Sequence, residues 1–257
     1  MGKSSRTIRH AVVTSLLNNH ICAIPFLVSE PNIMNVIIGD SRVLNVKRSR
    51  SLVMLREVED VWGLPGGNYN RCAELIEDNI LYHHPPIHMG KPHFYIMAGI
   101  CSITSKLSSP GYQEVIFNDT GDLLERVGKE IDYVEGHTFN QGGVPIFCTI
   151  MPMSIKTWNM NRLTCRKTKY LLHENEYDIM QTNLENFIQI VNDRIIKKNI
   201  SNGVSTPLVH RTLTRNRKGR QYTLYKNLTD GCHPNETVIL GIIQSLNRAI
   251  AQNKNLH

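Results

Sequence analysis

A serine closing an apolar run and an Asp-x-x-His near the far end of the chain are the residue types of nucleophilic catalysis. The serine is Ser41, in VIIGDS (36–41); the pair is Asp230 and His233, in DGCHPN (230–235). A serine hydroxyl is a poor nucleophile at neutral pH. It needs an imidazole to take its proton and a carboxylate to hold that imidazole in the right tautomer. Asp230 and His233, three residues apart at the head of a helical pattern, can do both from one loop. Acyl transfer also needs donors for a developing oxyanion, and glycine turns leave backbone N–H groups unobstructed. Candidate turns are Pro65-Gly66-Gly67-Asn68 and Gly99-Ile100-Cys101-Ser102.

Short apolar runs alternate with longer helical patterns. NVIIGD (35–40), DVWGLPGG (60–67), HFYIMAGI (93–100) and GGVPIFCTIM (142–151) read as strands. Between and after them lie four patterns with apolar residues at intervals of three and four. Residues 68–81 carry Cys72, Leu75, Ile76 and Ile80. Residues 119–137 carry Leu123, Leu124, Val127, Ile131 and Val134, with Asp119 or Thr120 as the expected N-cap. Residues 178–199 carry Ile179, Leu184, Phe187, Ile188, Val191 and Ile195, and residues 236–253 close the chain. Strand and helix in alternation mean βαβ units and a parallel sheet covered on both faces, which the non-alternating apolar strands require. Ligands of such sheets collect at the carboxyl ends of the strands. Ser41, both glycine turns and the Asp-x-x-His all fall at that rim.

The order of these blocks resembles the SGNH/GDSL hydrolase superfamily over roughly Asn32 to Gln252. The carriers are Gly39-Asp40-Ser41, a glycine in the second block, Gly99 in the third, and Asp230-x-x-His233. The resemblance implies a three-layer α/β/α fold, flavodoxin-like, with a parallel sheet of about five strands. It makes Ser41 the nucleophile, His233 the base and Asp230 its orienter. The Ser41 amide and that of Gly66 or Gly67 become oxyanion donors. The family's third donor is an asparagine side chain, and here Cys101 stands in its place, with Ser102 where an aspartate often follows. A thiol is a weak donor. Cys101 itself reads as a small buried residue and not as a nucleophile. This third block is also similar to that of esterase-like proteins of animal mobile elements and viruses. The implied reaction is hydrolysis of an oxygen ester, small-molecule, glycan or lipid, with no metal or organic cofactor. The alternative is a catalytically weak fold of the same type that binds nucleic acid or another polyanion.

The bulk properties suit one domain from residue 31 to 257 with an extension at 1–30. The chain has 257 residues, 41% of them hydrophobic, and a net charge of +7 from 29 bases set against 22 acids. That is a globular composition with a basic lean. The densest basic run is HRTLTRNRKGRQY (210–222), with Arg211, Arg215, Arg217, Lys218 and Arg220. It reads as a flexible solvated loop, its sharper reading being a polyanion patch. Six cysteines without C-x-x-C spacing read as buried or free thiols of a reducing, intracellular compartment, with three disulfides as the alternative. His83, His84, His88 and His93 lie in a proline-rich stretch that reads as a solvated loop, and no metal site is expected. The N-terminal basic stretch and the apolar run after it resemble a secretory signal, but Asn18-Asn19-His20 interrupts the run. No stretch reaches about 18 apolar residues, so no membrane span is expected.

Overall fold

The computed structural model describes residues 33–82, 91–109, 112–164, 174–217 and 220–254. The expected extension at 1–30 lies outside them, as do Cys22, Cys165, His83, His84 and His88. β1 (Asn35–Gly39) leads into α1 (Ser41–Arg48), and β2 (Asp60–Gly63) into α2 (Tyr69–Tyr82). β3 (His93–Met97) is followed by the single turn α3 (Ile100–Ile103) and the antiparallel pair β4 (Ser105–Ser109) and β5 (Tyr112–Ile116). Then come α4 (Leu123–Asn140), β6 (Val144–Phe147), α5 (Ile155–Thr164) and α6 (Glu174–Ser201). A second antiparallel pair, β7 (Thr214–Arg217) and β8 (Arg220–Thr223), precedes α7 (Glu236–Lys254).

The central sheet has the order β2-β1-β3-β6, every pair parallel. Successive side chains of a strand point to opposite faces, and the core divides accordingly. Val36 and Ile38 of β1, with Phe94, Ile96 and Phe147, pack under α2, α4 and α6. Ile37, Tyr95, Met97 and Ile146 pack under α1 and α7. The chain is thus a three-layer α/β/α structure.

Four strands make up this sheet among the described residues, where about five were expected. The segment after α6 meets Thr149, just past β6, through one backbone–backbone bond, Thr149 N–H to the Pro207 carbonyl at 3.1 Å. Proline has no N–H to return, and the segment does not extend the ladder. The cap of α4 is also displaced: it is Asp122, not Asp119 or Thr120. Asp119 instead accepts the Gly121 N–H and Thr120 donates to Asp122, so both side chains hold the preceding turn. Ile179 is 64% exposed. It lies five residues before Leu184, off the three-and-four series, and Tyr177 takes the buried position. His93 opens β3 and is buried, not part of a solvated loop. The described cysteines, Cys72, Cys101, Cys148 and Cys232, are free thiols.

Candidate active site

Ser41 does not close the strand; it opens a helix. Gly39 ends β1 so close to β3 that a Cβ there would lie 2.0 Å from the Met97 carbonyl oxygen, which only glycine avoids. Asp40 then caps α1, its carboxylate accepting the Arg42 N–H at 2.8 Å. Burial raises the Asp40 carboxyl, and the Arg42 charge and N–H oppose that rise. Ser41 becomes the first residue of α1, where a backbone N–H has no partner within the helix.

The loop before α7 brings its own cage. The Thr229 N–H donates to the His233 carbonyl at 2.7 Å, closing the loop on itself. Inside it, Asp230 Oδ1 accepts the N–H groups of Cys232 at 3.0 Å and His233 at 2.8 Å. Asp230 Oδ2 lies 2.7 Å from His233 Nδ1, and His233 Nε2 lies 2.9 Å from Ser41 Oγ. Burial alone would raise the Asp230 carboxyl, but the hydrogen bonds from His233 and Cys232 outweigh it and hold it at about 2. An ionised carboxylate only accepts, so the neutral imidazole carries its proton on Nδ1 and leaves Nε2 to accept from the Ser41 hydroxyl. The three residues expected from the sequence are brought together, 192 positions apart for Ser41 and His233.

Three further residues hold that alignment and were not read from the sequence. Arg42 is buried, and its Nη1 donates to the Met151 carbonyl at 2.6 Å while Nη2 reaches the Pro152 carbonyl at 3.4 Å and the Cys232 sulfur at 3.6 Å. Gly231 accepts the Ser154 N–H at 2.7 Å. It has φ of +86°, and a Cβ there would stand 2.6 Å from the Trp158 nitrogen, so glycine is required twice over. The Trp158 ring lies 5.6 Å from the His233 ring, tilted by 58°. A charged residue directly after Ser41 was the one visible signal; its carbonyl partners lie 109 and 110 positions away.

A cavity of about 590 Å³ opens over Ser41 and His233. Gly66 and Cys101 line it. The Gly67 N–H is committed to the Leu64 carbonyl at 3.1 Å. Cys101 sits in α3; burial is the main cause that pushes its thiol up to about 11, so it stays protonated near neutrality. Ser102 points elsewhere, donating to Glu130 of α4 at 2.5 Å. The rest of the lining is Pro65, Thr104, Lys106, Val115, Met153, Trp158 and Cys232.

The basic run is not a loop. β7 and β8 form a ladder through it, with Arg217 opposite Arg220. Arg211 and Arg215 are exposed, and Lys218 lies outside the described residues. Its strands, TRNR and RQYT, carry no apolar alternation that would mark them in the sequence.

No family model matches the sequence, and no curated protein matches it. Solved structures do match in fold. A GDSL-like lipase from Bacteroides thetaiotaomicron superposes with a TM-score of 0.53 at 11% identity, covering 88% of this chain and 91% of that one. A protein assigned as an acylhydrolase from Bacteroides fragilis gives 0.55 at 13% identity, covering 87% and 88%. A protein assigned to the lipolytic G-D-S-L family from Desulfitobacterium hafniense gives 0.53 at 13% identity, covering 84% and 98%. At such identities the likeness is one of fold: this chain has an SGNH/GDSL hydrolase-like fold.

Proposed function

We propose that the protein is a serine esterase that hydrolyses an oxygen ester through an acyl-enzyme on Ser41. The observation that carries this is the alignment of Ser41 Oγ, His233 and Asp230 through contacts of 2.9 and 2.7 Å. Ser41 Oγ attacks the ester carbonyl carbon while its proton passes to His233 Nε2. Asp230 fixes the ring and stabilises the imidazolium that forms. The negative charge moves to the carbonyl oxygen, opposite the Ser41 and Gly66 N–H groups. Collapse breaks the bond to the alcohol oxygen, which takes the proton from His233 and departs. Water then repeats the sequence on the acyl-enzyme, giving its proton to His233 and releasing the acid, and Ser41 recovers its proton.

A pure polyanion-binding module would leave this alignment without a use, and its support among the described residues is limited to exposed Arg211 and Arg215. The two readings separate in one assay. Turnover of 4-nitrophenyl acetate and butyrate by the full chain, lost in Ser41→Ala at an unchanged melting temperature, supports the esterase. Turnover at the same rate in both proteins overturns it.

A further inference from the structure

Of the residues lining the cavity over Ser41, one carries a fixed charge, and it is Lys106. The same cavity has apolar lining from Val115, Met153 and Trp158. Lys106 stands directly opposite Val115 in the β4–β5 pair, so the two side chains share one face of that ribbon, and Val115 is buried against the cavity wall. The ribbon is itself locked in place. Asn159 of α5 accepts the Val115 N–H at 2.8 Å and donates to the Val115 carbonyl at 2.8 Å, and the same helix carries Trp158. β4 follows directly on α3, which carries Cys101. Among the described residues no carboxylate forms an ion pair with Lys106. A cation therefore lines the same cavity as the reacting serine, on an anchored ribbon.

We propose that the pocket selects esters carrying a carboxylate, with Lys106 as the specificity-determining cation; this rests on the esterase reading of the same site. An ammonium is a point charge and one lysine matches one monoanion, whereas a phosphate dianion calls for several donors or an arginine fork. Thr104, on the same rim, donates its hydroxyl to the Ile100 carbonyl at 2.7 Å, so the charge recognition falls to Lys106. The apolar walls then take the few methylenes between the carboxylate and the scissile ester.

The test compares kcat/KM for the mono-4-nitrophenyl ester of succinate with that for 4-nitrophenyl butyrate, similar in length and leaving group and differing by the charge. The readout is the ratio of the two, so any general loss of activity cancels. Lys106→Met should lower the ratio by about 5-fold, the upper range for a solvent-exposed ion pair, and Lys106→Glu by about 25-fold. Added salt should shrink the wild-type preference. A second measurement does not depend on turnover: monomethyl succinate should bind Ser41→Ala and lose that affinity when Lys106→Glu is added. Turnover of both esters with a ratio unmoved by Lys106→Glu overturns the inference and leaves the esterase standing. Lys106-dependent binding without turnover of either ester sinks the esterase and keeps Lys106 as a ligand-selecting residue. Neither turnover nor binding overturns both.

Discussion

Arg42 holds its Nη2 3.6 Å from the Cys232 sulfur, so the residue after Ser41 touches the residue before His233. The same guanidinium bonds the Met151 carbonyl, tying the segment after β6 to both. Arg42 is thus a positioning residue. Arg42→Met should cost about 3 kcal/mol of stability, because it strands buried carbonyls and leaves buried Asp40 without its cation. It should also lower kcat by roughly 10- to 100-fold with little change in KM, since small displacements of aligned groups are expensive. Arg42→Lys, which keeps the charge but not the fork, should fall between. A wild-type kcat in Arg42→Met, at a lower melting temperature, would assign Arg42 to stability alone.

Cys101 makes a second point of attack. Its thiol is protonated near neutrality and is a weak donor to an oxyanion. Cys101→Asn should raise kcat more than it changes KM, by at most the ~10²-fold lower end of what one donor contributes. Overpacking of the larger side chain will reduce the gain. Cys101→Ala should change little. A large loss of kcat in Cys101→Ala, with a normal melt, would show that the thiol takes part directly.

The acid behaviour of the fold separates two groups. Asp230 is held at about 2, below its ordinary 3.8, so its stabilising contribution is complete above pH 3.8 and is lost as pH falls toward 2. The melting-temperature difference between wild type and Asp230→Asn should accordingly stay level from pH 7 to about pH 4 and shrink below that. A loss of activity between pH 7 and 4 then does not come from Asp230.

His210 acts earlier. Burial, helped by the Arg211 charge, pushes it down to about 4 from 6.5, against a smaller pull from Asp193. The unfolded chain binds its proton first, so stability falls as pH drops from 6.5 toward 4. His210→Gln, which can keep the bond to Thr149, should flatten that slope. An unchanged slope would place the acid sensitivity elsewhere.

The four central strands and the four long helices were legible because their apolar spacing reports burial directly. Ser41, Asp230 and His233 could be singled out because their order along the chain is distinctive. Other features were not, for physical reasons. Ser41 looked like a strand terminus because a one-residue cap, Asp40, separates β1 from α1 and leaves no helical period to read. The β4–β5 and β7–β8 pairs are strands of four or five residues, and their few apolar side chains, such as Leu107 and buried Val115, make no period long enough to read. Arg42 and Gly231 act through backbone partners far away in sequence or against another helix, which no local pattern encodes. The turn bond from the Gly67 N–H to Leu64, which takes that N–H away from any other acceptor, also lies beyond what a Pro-Gly-Gly run shows by itself.

The central claim is that Ser41 is a nucleophile activated by His233. A fluorophosphonate probe reacts with such a serine by forming a phosphorus–oxygen bond to Oγ with loss of fluoride, and peptide mass spectrometry locates the bond. The wild-type chain should carry one probe, on the peptide containing Ser41. Labelling should vanish in Ser41→Ala and slow by several hundred-fold or more in His233→Ala, with both variants folded. A probe found on another residue, or labelling of Ser41→Ala at the wild-type rate, would contradict the account.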